Sequence, residues 1–348
     1  MTRLRQLIQH LEQIAPAVYQ EGYDNSGLIV GNPDMEIKGV MVCLDSTEAV
    51  VQEAVAKGCN VVVAHHPIVF KGLKRLTGKN YVERTVISAI KNDVALYAIH
   101  TNLDNVYHLG VNAKIAEKIG LKNTRVLAPK QQLKKLTCAI APAISDELRQ
   151  ALLEVGIGQE TQWSFSTLGV INTEQSGAAG VKIEVLFAWG IERAVVRTLQ
   201  SFEGNGLHFY EITSVENHNT TIGSGLVGEL DKPMKALAFL QLLKKNMQAA
   251  CVKHTALLDR PVKTVAVCGG SGSFLLPQAI AAGADVFVTA DFKYHEFFDA
   301  DGHLVIADIG HYESEHFTIE LLHDIISEKF SNFAVHCADS VTNPVQYL

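Results

Sequence analysis

The sequence predicts an α/β protein: a duplicated core of mixed sheets and flanking helices, interrupted by an inserted ferredoxin-like (βαββαβ) α+β domain. Three observations predict this. First, "VCLDSTEAVVQEAVAKGCNVVVAHHP" from Val42 aligns without a gap on "VCGGSGSFLLPQAIAAGADVFVTADF" from Val267, at a constant offset of 225. Second, each copy reads as an apolar strand, a turn, an alanine-rich helix closed by glycine (Gly58; Gly283) and a second apolar strand. Strands apolar on both faces and linked by helices belong to a parallel or mixed sheet covered on both sides. Third, the texture changes between about 130 and 221, so the domains read as 1–129 (core, first half), 130–221 (insert) and 222–348 (core, second half).

Taken in order, "MTRLRQLIQHLEQIAP" places Leu4, Leu7, Ile8, Leu11 and Ile14 on one helical face and ends at Pro16. Strands follow at Val40–Leu44 and through Asn60–Ala64. In the insert, "KKLTCAIAP", "TQWSFSTLGV", "VKIEVLFA" and "LHFYEITSV" read as strands, with "SDELRQALLEVG" and "ERAVVRTLQSF" as the two helices. Ser145 is placed as the N-cap of the first of these helices. The second core copy opens with the strand Val265–Cys268 and ends in the helical pattern "ESEHFTIELLHDIISEKF".

Composition excludes several classes. With 348 residues and 47% hydrophobic content the chain buries a large core, and 30 basic against 37 acidic residues, a net charge of -7, argue against coating nucleic acid. Cysteines stand at 43, 59, 138, 251, 268 and 337 without a Cys-x-x-Cys, against structural zinc or a disulfide framework. No stretch reaches the roughly 20 apolar residues of a membrane span and no secretory pattern is present, so a cytoplasmic protein is expected.

Chemistry concentrates where apolar strands end. "AHHP" (64–67), "YAIHTNLDN" (97–105) and "IADIGHYESEH" (306–316) bring His65, His66, His100, Asp104, His311, Glu315 and His316, and Asp291 ends the matching strand of the second copy. This is more imidazole and carboxylate than a single open metal site uses, and it suits two metals. Nitrogen and oxygen ligands without thiolate point to Zn, Mn, Fe, Co or Ni rather than Mg or Ca. Adjacent strand residues face opposite ways, so His65 and His66 converge only if the chain leaves the strand there, one histidine to each metal. His311 and Glu315, like His100 and Asp104, are four apart and share a face if helical; in a loop that spacing carries less weight, and His316 and His323 are then ordinary surface residues.

Five motifs, "EGYDNSGLIVG", "AHHPIVFKGLK", "HTNLDN", "GGSGS" and "GHYESEH", resemble the successive motifs of the NGG-one-interacting-factor-three-like family, often labelled GTP cyclohydrolase 1 type 2 homologues. Tyr23 departs from the tryptophan frequent there. The resemblance implies that His65, His66, Asp104, His311 and Glu315 bind two metal ions, with His100 a weaker carry-over. It further implies a ring-shaped (toroid) homohexamer whose longer members carry an inserted domain similar to the PII and CutA fold.

A dinuclear centre favours hydrolysis of a phosphoryl or carbonyl group, so the expected function is a metal-dependent hydrolase acting on a nucleotide or other phosphate-containing small molecule. The alternative is a non-catalytic hexameric scaffold that handles metal or senses a ligand. Lys71, Lys74, Arg75 and Lys79 are candidates to hold an anionic substrate, and "CGGSGS" to offer amides to a phosphate, although the dinucleotide fingerprint fails at Leu275. Candidate catalytic groups are His100, Tyr294 and His295.

Overall fold

Apolar strands of five or six residues need cover on both faces, and the chain meets that need twice. The computed structural model describes residues 2–130, 132–157, 166–172 and 179–348. They divide into two units, Met1–Ala128 with Gly223–Leu348, and Pro129–Ile222.

The first unit holds two mixed sheets. One has the spatial order Gly27–Val30, Ala95–Ala98, Val61–His66, Gly39–Asp45, Ala334–Cys337. Its first pair is antiparallel and the rest are parallel. The other runs Lys253–His254, Val305–Asp308, Val286–Ala290, Val262–Ser271, Gly223–Met234, Lys122–Pro129. Here too an antiparallel edge strand precedes a parallel trio. The first four strands of each sheet therefore repeat one arrangement, the structural form of the sequence repeat. Val61–Ala64 and Val286–Ala290 are wholly buried, as their two-sided apolar sequence requires.

Helices cover these sheets for local reasons. Thr47 Oγ1 accepts from the amide of Val50 and Asn80 Oδ1 from that of Glu83, capping Glu48–Ala56 and Tyr81–Lys91. The opening helix, Leu4–Ile14, buries Leu4, Leu7 and Leu11, one stripe at helical spacing. In the first half Met41, Val51, Val62 and Leu96 belong to one apolar cluster; Leu276, Phe287 and Ile306 belong to its counterpart in the second. The glycine-rich stretch extends its strand, which runs to Ser271 instead of stopping at Cys268.

The second unit has the order βαββαβ: Gln132–Ile140, Ser145–Glu154, Ser166–Asn172, Ala179–Ala188, Glu192–Ser201, Leu207–His218. Its antiparallel sheet is ordered 166–172, 179–188, 132–140, 207–218, the ferredoxin-like arrangement. Leu136, Cys138 and Phe187 of the sheet pack with Leu148, Leu152, Val195 and Leu199 of the helices. Ser145 is not the N-cap. A 3₁₀ turn, Pro142–Ile144, leads straight into the helix, so Ser145 is its first residue and its hydroxyl donates to Pro142 O at 3.0 Å. Residues 161–165 of the predicted second strand lie outside the described residues.

Candidate metal centre

In the first unit the strand Val61–His66 carries both histidines to its last residue, and Pro67, which has no amide hydrogen to give the ladder, follows it. His65 is fully buried, and its Nδ1 donates to Ile99 O at 2.9 Å. His66 Nδ1 donates to Asp45 Oδ1 at 2.8 Å, across the pairing of Asp45 with His66 in the neighbouring parallel strands. His100 precedes the single helical turn Thr101–Asp104, and its Nδ1 donates to Asp24 Oδ1 at 2.9 Å. His311 opens the short helix His311–Glu315 just beyond the strand Val305–Asp308, with Nδ1 donating to Asp291 Oδ2 at 2.6 Å. Every one of the four rings is thus tied at Nδ1 to a carbonyl or carboxylate oxygen. An anchored Nδ1–H turns Nε2 toward the cluster and makes it the nitrogen that can take a metal once it carries no proton of its own, the usual arrangement of a metal-binding histidine.

The Nε2 atoms of His65, His66 and His311 meet the carboxylates of Asp104 and Glu315. Glu315 is at the centre. Its Oε2 lies 3.0 Å from His66 Nε2 and 3.1 Å from His311 Nε2, and its Oε1 lies 3.8 Å from His65 Nε2, which is itself 3.6 Å from Asp104 Oδ1. His66 Nε2 and His311 Nε2 are 3.4 Å apart. Three sets of donors, His65–Asp104–Glu315, His66–His311–Glu315 and His65–His66–His100, each offer ligand atoms within 4.8 Å of one another. Buried polar atoms are normally paired, yet His65 Nε2 and Asp104 Oδ1 are buried with no hydrogen-bond partner. Two orphaned donors of lone pairs, 3.6 Å apart and facing a third donor, the Glu315 carboxylate, fit a transition-metal cation.

The glycine motif earns its place here by what it leaves out. Gly270 has φ +62°, and a Cβ on it would clash with Glu315 Oε1 and stand 3.3 Å from His311 Cε1; one on Gly269 would stand 3.4 Å from Glu315 Cγ. Only glycine lets the backbone pass this close to the central carboxylate. The amide of Gly269 donates to Asn112 Oδ1 and that of Gly270 to Ser314 Oγ, so these two amides are engaged within the protein. They are not a phosphate cradle.

Burial and neighbouring charge push the titrating groups apart. Burial holds His65 down to about 4, a neutral imidazole at pH 7. For His66 burial acts downward too, but hydrogen bonds to Asp45 and Glu315 outweigh it and raise the ring to about 10; Glu315 and Asp291 likewise raise His311, against its burial, to about 11. Burial and then the charge of Glu315 push Asp104 well above the ordinary carboxylate range. Glu315 is held well below it, against its own burial, by the charge of His311 and hydrogen bonds from His311 and His66.

A cavity of about 770 Å³ opens onto this cluster. Tyr23, Phe70, Tyr81, Phe274, Tyr312 and Tyr347 supply aromatic wall, and His66, His100, Asp104, His311 and Glu315 all reach it. Lys71, Lys74, Arg75 and Lys79 do not line it. The cation on its wall is Lys253, whose Nζ lies 2.7 Å from Asp308 Oδ2. Tyr294, 74% exposed, and His295 also lie off the wall, while His316 packs against Tyr312 and Phe317 outside the cluster. Asp24 and Asp45 escaped the sequence reading as ring anchors: each is a single carboxylate 76 or 21 positions from its histidine. For Asp24 the one available signal was its place in "EGYDNSGLIVG"; the offset of 225 sets Gly270, not a carboxylate, opposite Asp45.

Fold and site together define a class: a duplicated α/β protein whose halves bring histidines and carboxylates from their strand ends to one candidate metal site. The chain belongs to the Duf34/NIF3 (NGG1p interacting factor 3) family, whose model matches residues 2–344. It is 32% identical to the GTP cyclohydrolase 1 type 2 homolog of Bacillus subtilis (strain 168), over 99% of this chain and 98% of that protein, and 31% identical to the protein of that name from Staphylococcus epidermidis, over 99% and 100%. Among solved structures it is similar to the Bacillus cereus protein related to NIF3, with TM-score 0.82, 30% identity and coverage of 100% and 99% of the two chains. The Staphylococcus aureus protein SA1388 is also similar, with TM-score 0.82, 29% identity and the same coverage. The family read from five motifs is thereby shown. No helix among the described residues is long and apolar enough to cross a membrane.

Proposed function

We propose that the chain is a dinuclear metal protein and a metal-dependent hydrolase of a nucleotide or another phosphate-containing small molecule. In this reading His65, Asp104 and Glu315 would hold one ion, and His66, His311 and Glu315 would hold the other. The observation that carries it is the pairing of four Nδ1-anchored rings with two buried donor atoms left unsatisfied. The raised values of His66 and His311 agree: the charge their extra protons carry is the charge a divalent cation brings to the same nitrogens.

Two such ions, drawn from Zn, Fe, Mn, Co or Ni, would supply Lewis-acid charge to a phosphoryl or carbonyl oxygen. The chain's own residues do the rest. Asp24, Asp45 and Asp291 orient the rings, the aromatic walls offer flat apolar faces to a base or similar ring system, and Lys253 sets a positive charge beside an anionic group. His100, whose ring centroid is 5.3 Å from that of His65 and 5.2 Å from that of His66, would ligate an ion or exchange a proton with substrate. The name of these relatives, GTP cyclohydrolase 1 type 2 homolog, also points toward nucleotide chemistry. A homohexameric ring is part of this proposal; large side chains left exposed on the single chain away from the cavity, Tyr294 and Phe298, support burial in an assembly.

The test is a panel of nucleotides, GTP included, and phosphate monoesters and diesters, offered to metal-stripped protein restored with each of the five metals. Turnover that needs metal and disappears in Glu315→Gln supports the hydrolase. Tight stoichiometric metal binding without turnover across the panel rejects it in favour of a metal-handling scaffold.

A further inference from the structure

We infer that Thr342 is a positioning residue of the metal centre, and that through it docking of segment 339–347 is coupled to metal binding at His66; this rests on the metal reading above. The strand Ala334–Cys337 pairs in parallel with Gly39–Asp45, and one further ladder bond, Ala338 N to Val42 O at 2.9 Å, ends the register. Beyond it the chain has no strand or helix, and it is held by polar contacts. Glu53 accepts from the amides of Asp339 (2.8 Å) and Ser340 (3.0 Å) and from Ser340 Oγ (2.6 Å), and Lys57 Nζ lies 2.7 Å from both Glu53 Oε1 and Asp339 Oδ2. Asn343 Nδ2 donates to Glu313 Oε1 at 3.2 Å. So anchored, Asn343, Pro344, Val345 and Tyr347 form part of the cavity wall.

Between those anchors Thr342 Oγ1 donates to Asp45 Oδ2 at 2.6 Å. The other oxygen of the same carboxylate accepts from His66 Nδ1 at 2.8 Å. Each Asp45 oxygen therefore has one task, and the hydroxyl on one side fixes the plane of the carboxylate for the ring on the other. Without that hydroxyl Asp45 is free to turn about its terminal torsion, which is broad and two-fold, and the aim of His66 Nε2 loosens with it. Linkage makes the relation reciprocal: an ion that fixes His66 also favours the docked segment, by the same free energy.

The experiment is a chelator-competition titration of the full chain with Zn²⁺, comparing wild type, Thr342→Val and Thr342→Ser, with amide hydrogen exchange over 339–345 followed with and without zinc. Thr342→Val is expected to weaken one of the two ions by about tenfold, the lower end of what loss of an outer hydrogen bond to a ligand costs. Thr342→Ser, which keeps the oxygen, is expected to match wild type, and zinc is expected to slow exchange over 339–345 in wild type and not in Thr342→Val. Unchanged zinc affinity in Thr342→Val overturns the inference, and so does a Thr342→Ser as weak as Thr342→Val, because packing and not the hydroxyl would then be at work. Should Thr342→Val not fold, exchange over 339–345 in wild type that ignores zinc overturns it as well. Wild type that takes up no zinc fails the metal reading and this inference together; zinc-loaded wild type beside an unaltered Thr342→Val fails the inference alone.

Discussion

Glu315 is the residue on which the proposed centre turns, and Gly270 is the residue that leaves room for its carboxylate. An alanine at 270 would take a left-handed backbone at a cost of roughly 1–2 kcal/mol and would drive its Cβ into the Glu315 carboxylate. Gly270→Ala is therefore expected to melt a few degrees lower and to lose metal far out of proportion to that loss of stability, as measured by thermal unfolding beside elemental analysis. Equal metal content in wild type and variant would show that the glycine serves only the turn. The histidine pair was legible in the sequence because it ends an apolar run, where no packing argument asks for imidazole. The role of the glycines was not, since a short Gly-Gly-Ser-Gly stretch reads the same whether it cradles a phosphate or clears room for a neighbour. Asp24 and Asp45 were invisible for a different reason: an isolated acidic residue gains meaning only when folding carries it to a ring nitrogen.

At the scale of elements, Glu53 on the helix Glu48–Ala56 ties down the segment that follows the last strand. Burial works against its charge, but Lys57, Ser340 and the amides of Asp339 and Ser340 hold its carboxyl down to about 2 from an ordinary 4.5. A carboxylate depressed on folding stabilises the fold fully above its unfolded value, and that stability is lost as pH falls through the folded value. The difference in melting temperature between wild type and Glu53→Gln should thus be constant near neutrality and shrink between about pH 4.5 and pH 2. A difference that does not change over that window would mean the amides, and not the charge, hold the segment. Elements themselves were largely legible: two-sided apolar strands and the order βαββαβ are written in hydrophobic period. Ser145 shows where such reading stops, because a cap depends on whether the preceding residues already turn, and the 3₁₀ turn at Pro142–Ile144 takes that role.

For the whole molecule, every residue assigned to the proposed centre lies in the unit formed by Met1–Ala128 and Gly223–Leu348. The amide of Lys130 donates to Ile222 O at 3.2 Å, so the two ends of the intervening unit are adjacent and a short glycine-serine linker can replace Pro129–Ile222. That excised protein should keep its metals; soluble protein that has lost them would show the insert helping to build the site. Light scattering of the full chain should give about six times the 38.0 kDa chain mass, and a stable monomer with its metals intact would remove the ring while leaving the site. The repeat made the duplicated core legible from sequence, and the family motifs implied ligands from both halves, whereas the central place of Glu315 among them was not legible, because Glu315 and His66 are 249 positions apart. In the proposed centre the two halves together hold one pair of ions, and elemental analysis of protein stripped and reloaded with one transition metal counts them. Two ions per chain are expected in wild type, with loss of both in Glu315→Ala; saturation at one ion or none, or a Glu315→Ala that keeps two, would contradict the dinuclear reading.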